Sequence, residues 1–149
     1  MIAAQHALLW QCINRDMHTL FFDGCSKGNP GRAGAGAVLY NDAGAEVFAQ
    51  AAFVGHHATN NEAEYTGLVV GLNEAANLGI KELQVCGDSQ LVIYQMQGKY
   101  KVNSVKLIPL HEGAKTLASK FEKIEFKHVY RENNKRADAL SNEGAAALR

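Results

Sequence analysis

The sequence has no apolar run near the length of a membrane span, and its first residues lack the pattern of a secretory signal. A spanning helix needs about 20 consecutive apolar residues. A signal would show a basic region, a continuous apolar stretch and a small-residue cleavage site. These absences argue against a helical membrane protein and predict a cytoplasmic location with no membrane partner.

Cysteine is also scarce. Cys12, Cys25 and Cys86 are widely spaced and form no C-x-x-C pair, so neither a disulfide framework nor a zinc site is indicated. No internal repeat or low-complexity segment is present. A chain of 149 residues that is 47% hydrophobic fits one domain with its own core and leaves no room for a second.

The chain carries no net charge, which argues against nucleic-acid binding through bulk positive charge alone. The two signs are nevertheless unevenly distributed. The part up to Gln95 has nine acids and four bases, and the remainder has six acids and eleven bases. The distribution is compatible with an acidic cluster that faces a basic rim.

Periodicity and turn residues predict an α/β fold. Three strands come first, "HTLFFDG", "AGAGAVLYN" and "AEVFAQAAFVG", and residues 41–44 form a hairpin turn between the last two. Further on, "KELQVCGD" and "KIEFKHVYRE" are also typical of strands. This order describes a mixed sheet, in which an antiparallel meander is followed by strands added in parallel through right-handed crossovers, with helices on its faces.

Four helices are predicted between and after these strands. A long helix, capped by Asn60 or Asn61, runs to Leu78. The others are expected from Ser89 to about Gln97, from Ser104 to Phe121 despite Pro109, and after a cap at Asn133 or Asn134.

Four acids lie where such a fold can bring them together. Asp23 and Asp88 end two strands that are expected to be parallel neighbours, and ligands of α/β sheets bind at the carboxyl ends of strands. Glu64 and Asp138 fall in the first turns of helices. Taken singly, each acid is more typically a turn former or a partner of the helix dipole. Together they would repel one another unless divalent cations neutralise them, and oxygen-only ligands favour Mg²⁺ or Mn²⁺.

The glycine-rich stretch "DGCSKGNPGRAGAG" after the first strand has neither the Walker spacing nor the dinucleotide-binding fingerprint. Together with "TNNEAEY", "VCGDSQLV" and "RENNKRADAL", it resembles the type 1 ribonucleases H in order and spacing. The resemblance covers the chain from about His18 to its end. It implies a ribonuclease H-like fold with a five-stranded sheet, three strands antiparallel and two added in parallel, with helices on both faces.

The same resemblance implies endonucleolytic hydrolysis of the RNA strand of RNA–DNA hybrids with two Mg²⁺ ions, for which Mn²⁺ can substitute. Products would carry a 5′-phosphate and a 3′-hydroxyl. The metal-binding carboxylates would be Asp23, Glu64, Asp88 and Asp138, with Asp23 bridging both ions.

Residues that would bind substrate are implied in the same way. The small residues Gly24, Cys25 and Ser26 would let a nucleic-acid backbone approach closely. Four amide side chains match positions that read the RNA 2′-hydroxyl: Asn29, Asn60, Asn61 and Gln90. For Asn60 and Asn61, helix capping is an equally good interpretation. Thr59 resembles a residue that binds a DNA-strand phosphate, and an ordinary turn hydroxyl is its alternative.

The sequence departs from the family pattern near its last acid. Some members have a mobile histidine there that helps product leave, whereas His128 is predicted inside a strand. Arg131 is therefore the candidate for this role, because a guanidinium is always charged and can hold a phosphate with two hydrogen bonds.

A second departure follows Gln95, where better-known bacterial members carry a basic, Trp-rich protrusion. This chain has only "GKYKVN". Lys99, Tyr100 and Lys101 are either a reduced version of that grip or a solvated loop.

The domain is predicted over residues 18–149, with residues 1–17 as an N-terminal extension. A monomer without an obligate protein partner is expected. Two other functions stay open, a related polynucleotidyl transferase or resolvase on the same fold, and a non-catalytic hybrid-binding module.

Overall fold

A computed structural model describes residues 17–147 of the chain. Five strands form one mixed sheet: β1 (Met17–Lys27), β2 (Gly31–Tyr40), β3 (Glu46–Ala58), β4 (Glu82–Gly87) and β5 (Lys123–His128). Their spatial order is β3-β2-β1-β4-β5. The first three strands pair antiparallel, whereas β4 pairs parallel with β1 and with β5. The predicted fold class is confirmed.

The described residues form four α-helices, which are α1 (Asn60–Asn77), α2 (Gln90–Met96), α3 (Ile108–Ala118) and α4 (Lys135–Ala146). A short 3₁₀ turn, Arg131–Asn133, precedes α4. Helix α1 packs on β1 and β2 and against α3, while α4 packs on β1, β2 and β3. Because they bury different side chains of the same strands, α1 and α4 lie on opposite faces of the sheet.

The main core lies between the sheet and α1 to α3. Phe22 of β1 is fully buried there with Leu68 and Leu72 of α1. On the other face, Val38 packs with Ala137 and Leu140 of α4. Strand alternation thus serves both faces, because a central strand of an α/β sheet is covered on each side.

Two local predictions needed correction. The cap of α1 is Thr59 rather than Asn60 or Asn61, since its hydroxyl accepts the Glu62 backbone N–H and the Glu62 carboxylate accepts the Thr59 N–H. Helix α3 begins at Ile108 instead of Ser104. Pro109 is the reason, because proline has no N–H to donate and is tolerated only in the first helical turn.

Asn134 occupies the cap position of α4, as predicted, but its side chain makes no capping bond. Its amide nitrogen donates instead to the Phe22 carbonyl oxygen at 2.9 Å. The residue therefore ties the start of α4 to β1, one position before Asp23.

Within residues 17–147, none of the helices has both the length and the apolar character needed to cross a bilayer. The predicted extension lies outside the described residues except for Met17, which begins β1. Cys25 and Cys86 are free thiols, and Cys86 is buried as expected of a packing residue.

Candidate active site

The parallel pairing of β1 and β4 brings two acids side by side. Phe22 pairs with Gly87 as the last residues of that ladder, so Asp23 and Asp88 follow at matching positions. Asp23 is buried and Asp88 is half-buried. The expected juxtaposition of these two carboxylates is therefore present in the fold. Contrary to the prediction from sequence, Asp23 does not end its strand, because β1 continues to Lys27 through its antiparallel pairing with β2.

Glu64 reaches the same place because α1 lies unusually close to β1. A Cβ on Gly24 would come 2.2 Å from the Ala63 carbonyl carbon and 2.3 Å from the Glu64 nitrogen. A Cβ on Gly67 would come 2.5 Å from the Asp23 carbonyl oxygen. Gly24 and Gly67 thus permit direct contact between the backbones of α1 and β1, which places Glu64 next to Asp23.

Each of Asp23, Glu64 and Asp88 offers one oxygen, and these three atoms lie within 4.8 Å of one another. Asp23 is 4% exposed and Glu64 is 8% exposed. Burial, and secondarily the charge of Asp88, raises the pKa of the Asp23 carboxyl to about 7. Burial and the two aspartates also raise the pKa of Glu64 well above its usual range.

Asp138 stands beside this group rather than within it. It lies in the first turn of α4, and its carboxyl is within hydrogen-bonding reach of Asp23. Ser141 donates to the Asp138 carbonyl at 2.8 Å and lies 3.5 Å from Oδ2 of Asp23, while Asn142 donates to the same carbonyl at 2.9 Å. Sequence reasoning missed both residues, although their i+3 and i+4 spacing from Asp138 places them on its face of the helix.

The turn after Asp23 is locked to the start of α1 by polar contacts. The Ser26 backbone N–H donates to the Asn60 side-chain oxygen at 2.7 Å, and the Asn60 N–H donates to the Asn29 side-chain oxygen at 2.9 Å. Asn29 adopts a left-handed φ of 38°, which asparagine tolerates well. The structure thus brings three of the predicted substrate residues together, next to the acids.

The other predicted contacts near α1 have structural partners of their own. Cys25 directs its sulfur toward the Ser141 carbonyl at 3.4 Å. Thr59 caps α1 through its hydroxyl. Asn61 is half-buried in the first turn of α1.

A second group of predicted residues contacts Tyr94. Tyr94 itself was not among the predicted site residues. Gln90 donates to the Tyr94 hydroxyl at 3.1 Å. The Lys99 ammonium lies 4.9 Å from the centre of the Tyr94 ring, and Tyr100 meets that ring edge-on at 5.1 Å. The i, i+4 spacing of Gln90 and Tyr94 was the available signal. Lys101 follows as an exposed residue.

Arg131 begins the 3₁₀ turn and is exposed. His128 is the last residue of β5 rather than an interior one, because the strand ends earlier than predicted. Its Nε2 lies 3.2 Å from the Asp88 carbonyl oxygen. Its ring also packs edge-on against that of Tyr130, which is 69% exposed. His128 therefore contacts the backbone of Asp88 from the end of β5.

The chain is similar in sequence and fold to several known proteins. The family model described as reverse transcriptase-like matches residues 21–144. The N-terminal RNase H domain of Rv2228c from Mycobacterium tuberculosis is 41% identical with a TM-score of 0.84, over 87% of this chain and 93% of that one. RNase H1 of Halobacterium salinarum is 39% identical with a TM-score of 0.82, over 86% and 96%.

The chain belongs to the type 1 ribonuclease H family. LC11-RNase H1, solved in complex with an RNA/DNA hybrid, is a further similar structure at 33% identity and a TM-score of 0.80, over 86% of this chain and 96% of that one. Over their full lengths the curated relatives are larger. The chain spans 34% of the bifunctional protein Rv2228c and 61% of the ribonuclease HI of Halobacterium salinarum.

As a type 1 ribonuclease H, the chain lacks the basic protrusion. The connection between α2 and α3 covers only residues 97–107 and contains no helix. The predicted departure from the better-known bacterial members is confirmed, and the Tyr94 group occupies the start of this short connection.

Proposed function

We propose that the chain is an endoribonuclease that hydrolyses the RNA strand of RNA–DNA hybrids with two divalent cations, leaving 5′-phosphate and 3′-hydroxyl ends. The observation that carries the proposal is the group formed by Asp23, Glu64 and Asp88, which lies where the parallel pairing of β1 and β4 ends. Family membership and the hybrid bound by LC11-RNase H1 support the choice of substrate.

The side chains of this group fit a divalent cation. Oε2 of Glu64 is buried without a hydrogen-bond partner. The ion pairs found within residues 17–147 involve other acids, so these carboxylates have no cationic side chain to neutralise them. An all-oxygen donor set of this kind is typical of Mg²⁺ and Mn²⁺ sites.

Asp23, Glu64, Asp88 and Asp138 would hold the two ions. When bound, the ions supply activation of the attacking water and charge neutralisation at the scissile phosphate. The protein's own contribution is placement, since Gly24 and Gly67 hold the Glu64 backbone against β1 and His128 supports the Asp88 carbonyl.

Substrate selection would rest on the polar turn beside the acids. Asn29 and Asn60, already oriented by their contacts with each other and with Ser26, would read the 2′-hydroxyl together with Asn61 and Gln90. Gly24, Cys25 and Ser26 would admit the backbone, and Thr59 would contact a phosphate of the DNA strand. Arg131, which is exposed in the 3₁₀ turn before α4, would hold the departing phosphate.

The first test is cleavage of one labelled sequence presented as RNA–DNA hybrid, double-stranded RNA, single-stranded RNA and double-stranded DNA, with Mg²⁺, Mn²⁺ or EDTA. We expect metal-dependent cutting of the RNA in the hybrid alone, and product ends that a ligase joins without prior phosphorylation. Cutting of DNA would favour the transferase or resolvase alternative. Binding of the hybrid without any cutting would favour the binding module.

A monomer in the cytoplasm remains a prediction. Light scattering coupled to size-exclusion chromatography measures the oligomeric state directly, and the mass expected of a monomer is close to the 16.2 kDa of the chain.

A further inference from the structure

Gln95 is a polar residue buried inside the core of the protein. It is 5% exposed, at the end of α2. Both ends of its side-chain amide are engaged, because the oxygen accepts the Tyr65 hydroxyl at 2.6 Å and the nitrogen donates to the Lys101 carbonyl at 3.2 Å. An unpaired buried amide is costly, so this pairing strongly favours a single arrangement of the three residues.

The Tyr65 end of this link belongs to the helix of the acidic group. Tyr65 follows Glu64 in α1 and is fully buried. Its ring packs edge-on against His111 of α3, whose Nε2 lies 3.3 Å from the Gln95 carbonyl oxygen. Gln95 is therefore connected both to α1, which carries Glu64, and to α3.

The Lys101 end belongs to the exposed segment Lys99–Lys101, which we call the platform. The backbone N–H groups of Lys99 and Tyr100 both donate to the Tyr94 carbonyl, at 2.9 Å and 3.2 Å. Tyr100 remains 47% exposed. Residues 97–107 contain three lysines and no acid. An exposed aromatic ring between cations is suited to the bases and phosphates of a nucleic acid.

We propose that the Gln95 amide is a positioning group that fixes the platform relative to the carboxylates, so that the backbone of a hybrid contacts both at once. The inference rests on the proposed function, because the hybrid is the ligand. It differs from a purely structural role for Gln95 in one measurable way. Losing the link lowers hybrid affinity only while the platform residues are present to bind.

Gln95→Leu removes both hydrogen bonds with little change in side-chain volume. We expect KM for a hybrid to rise about fivefold with kcat unchanged, since ordered contacts are lost and the carboxylates are untouched. In a Lys99→Ala/Tyr100→Ala background, the same substitution should raise KM by less than about twofold. Equal effects in the two backgrounds, or no effect in either, would overturn the proposal.

A gentler pair of variants covers the case in which Gln95→Leu does not fold. Gln95→Glu can still accept from Tyr65 but cannot donate to the Lys101 carbonyl, whereas Tyr65→Phe removes the other bond and keeps the ring. We expect Gln95→Glu to raise KM and to speed amide hydrogen exchange of the segment that follows the platform. Exchange and KM that match the parent chain would contradict the proposal.

Different results would refute the proposed function and the positioning role of Gln95. A parent chain that does not cut the hybrid refutes the proposed function, and the positioning role falls with it. A parent chain that cuts the hybrid while the Gln95 variants keep their KM refutes the positioning role alone.

Discussion

Asp23 is the residue on which the proposed chemistry depends most. It is buried, it lies next to Glu64 and Asp88, and Asp138 reaches it from the other face of the sheet. A hybrid would contact the polar turn of Ser26, Asn29 and Asn60 and the platform, and neither of these surfaces includes Asp23. Catalysis and binding should therefore separate at this position.

Asp23→Asn keeps the shape of the side chain and removes its charge. We expect turnover of a hybrid to fall by at least on the order of 10²-fold, because the electrostatic environment of the reacting phosphate is lost. Hybrid affinity should stay within about twofold, since the groove contacts remain. Steady-state cleavage and fluorescence anisotropy measure the two quantities, and full activity would refute the assignment of the site.

Arg131→Ala removes an exposed guanidinium from the 3₁₀ turn that precedes α4. If this group holds the departing phosphate, turnover should slow several-fold while hybrid affinity changes less. Lys123→Ala is a suitable control, because Lys123 is an exposed cation at the opposite end of β5 from His128. An unchanged turnover number would move the role to His128.

At the scale of elements, the contact between β1 and α1 decides where Glu64 stands. Gly24→Ala would drive a methyl group to within 2.2–2.5 Å of the backbone of Ala63 and Glu64, which cannot move aside without shifting the helix. We expect a loss of about 1–3 kcal/mol in the free energy of unfolding and a fall in turnover larger than the loss of fold explains. Chemical denaturation and cleavage of the same samples test both expectations.

Gly113→Ala is the matched control for that variant. Gly113 lies in α3, where an added Cβ would meet nothing within 4 Å. Alanine is favoured over glycine in a helix by about 0.8–1.0 kcal/mol. Stability should therefore rise slightly while turnover stays unchanged, and destabilisation by Gly113→Ala similar to that of Gly24→Ala would weaken the packing argument.

The Thr59 hydroxyl caps α1, and in the proposed function it also contacts a phosphate of the DNA strand. Thr59→Ala should cost about 1 kcal/mol of unfolding free energy because the capping box is broken, and Thr59→Ser should restore it. A phosphate contact would add a rise in KM that serine also reverses. Loss of stability without a rise in KM would leave Thr59 with the cap alone.

At the scale of the whole molecule, the acidic group makes the metal-free protein sensitive to pH. Burial, followed by the charge of Asp88, raises the pKa of Asp23 to about 7, against about 4 in an unfolded chain. The folded chain then binds the proton more tightly. The resulting stabilisation is complete below about pH 4 and is lost as the pH rises through about 7.

Melting curves in EDTA should therefore show Tm falling between about pH 4 and pH 7. Asp23→Asn should flatten this fall and stabilise the metal-free protein at pH 8 by about 2 kcal/mol, because the carboxyl no longer has to ionise inside the protein. Added Mg²⁺ should raise the Tm of the parent chain and leave that of the variant nearly unchanged. A Tm of the parent that rises over the same interval would contradict the argument.

The sequence by itself determined the order of strands and helices, the hairpin at residues 41–44 and the positions of Asp88 and Asp138 at the ends of elements. These features are local, because alternation, helical periodicity and turn residues act within a few positions along the chain. Tertiary structure decided the rest. Asp23 and Glu64 meet because two backbones touch at Gly24, and Gln95 links Tyr65 to Lys101 across the core. Such contacts depend on packing between distant segments, which periodicity along the chain does not encode.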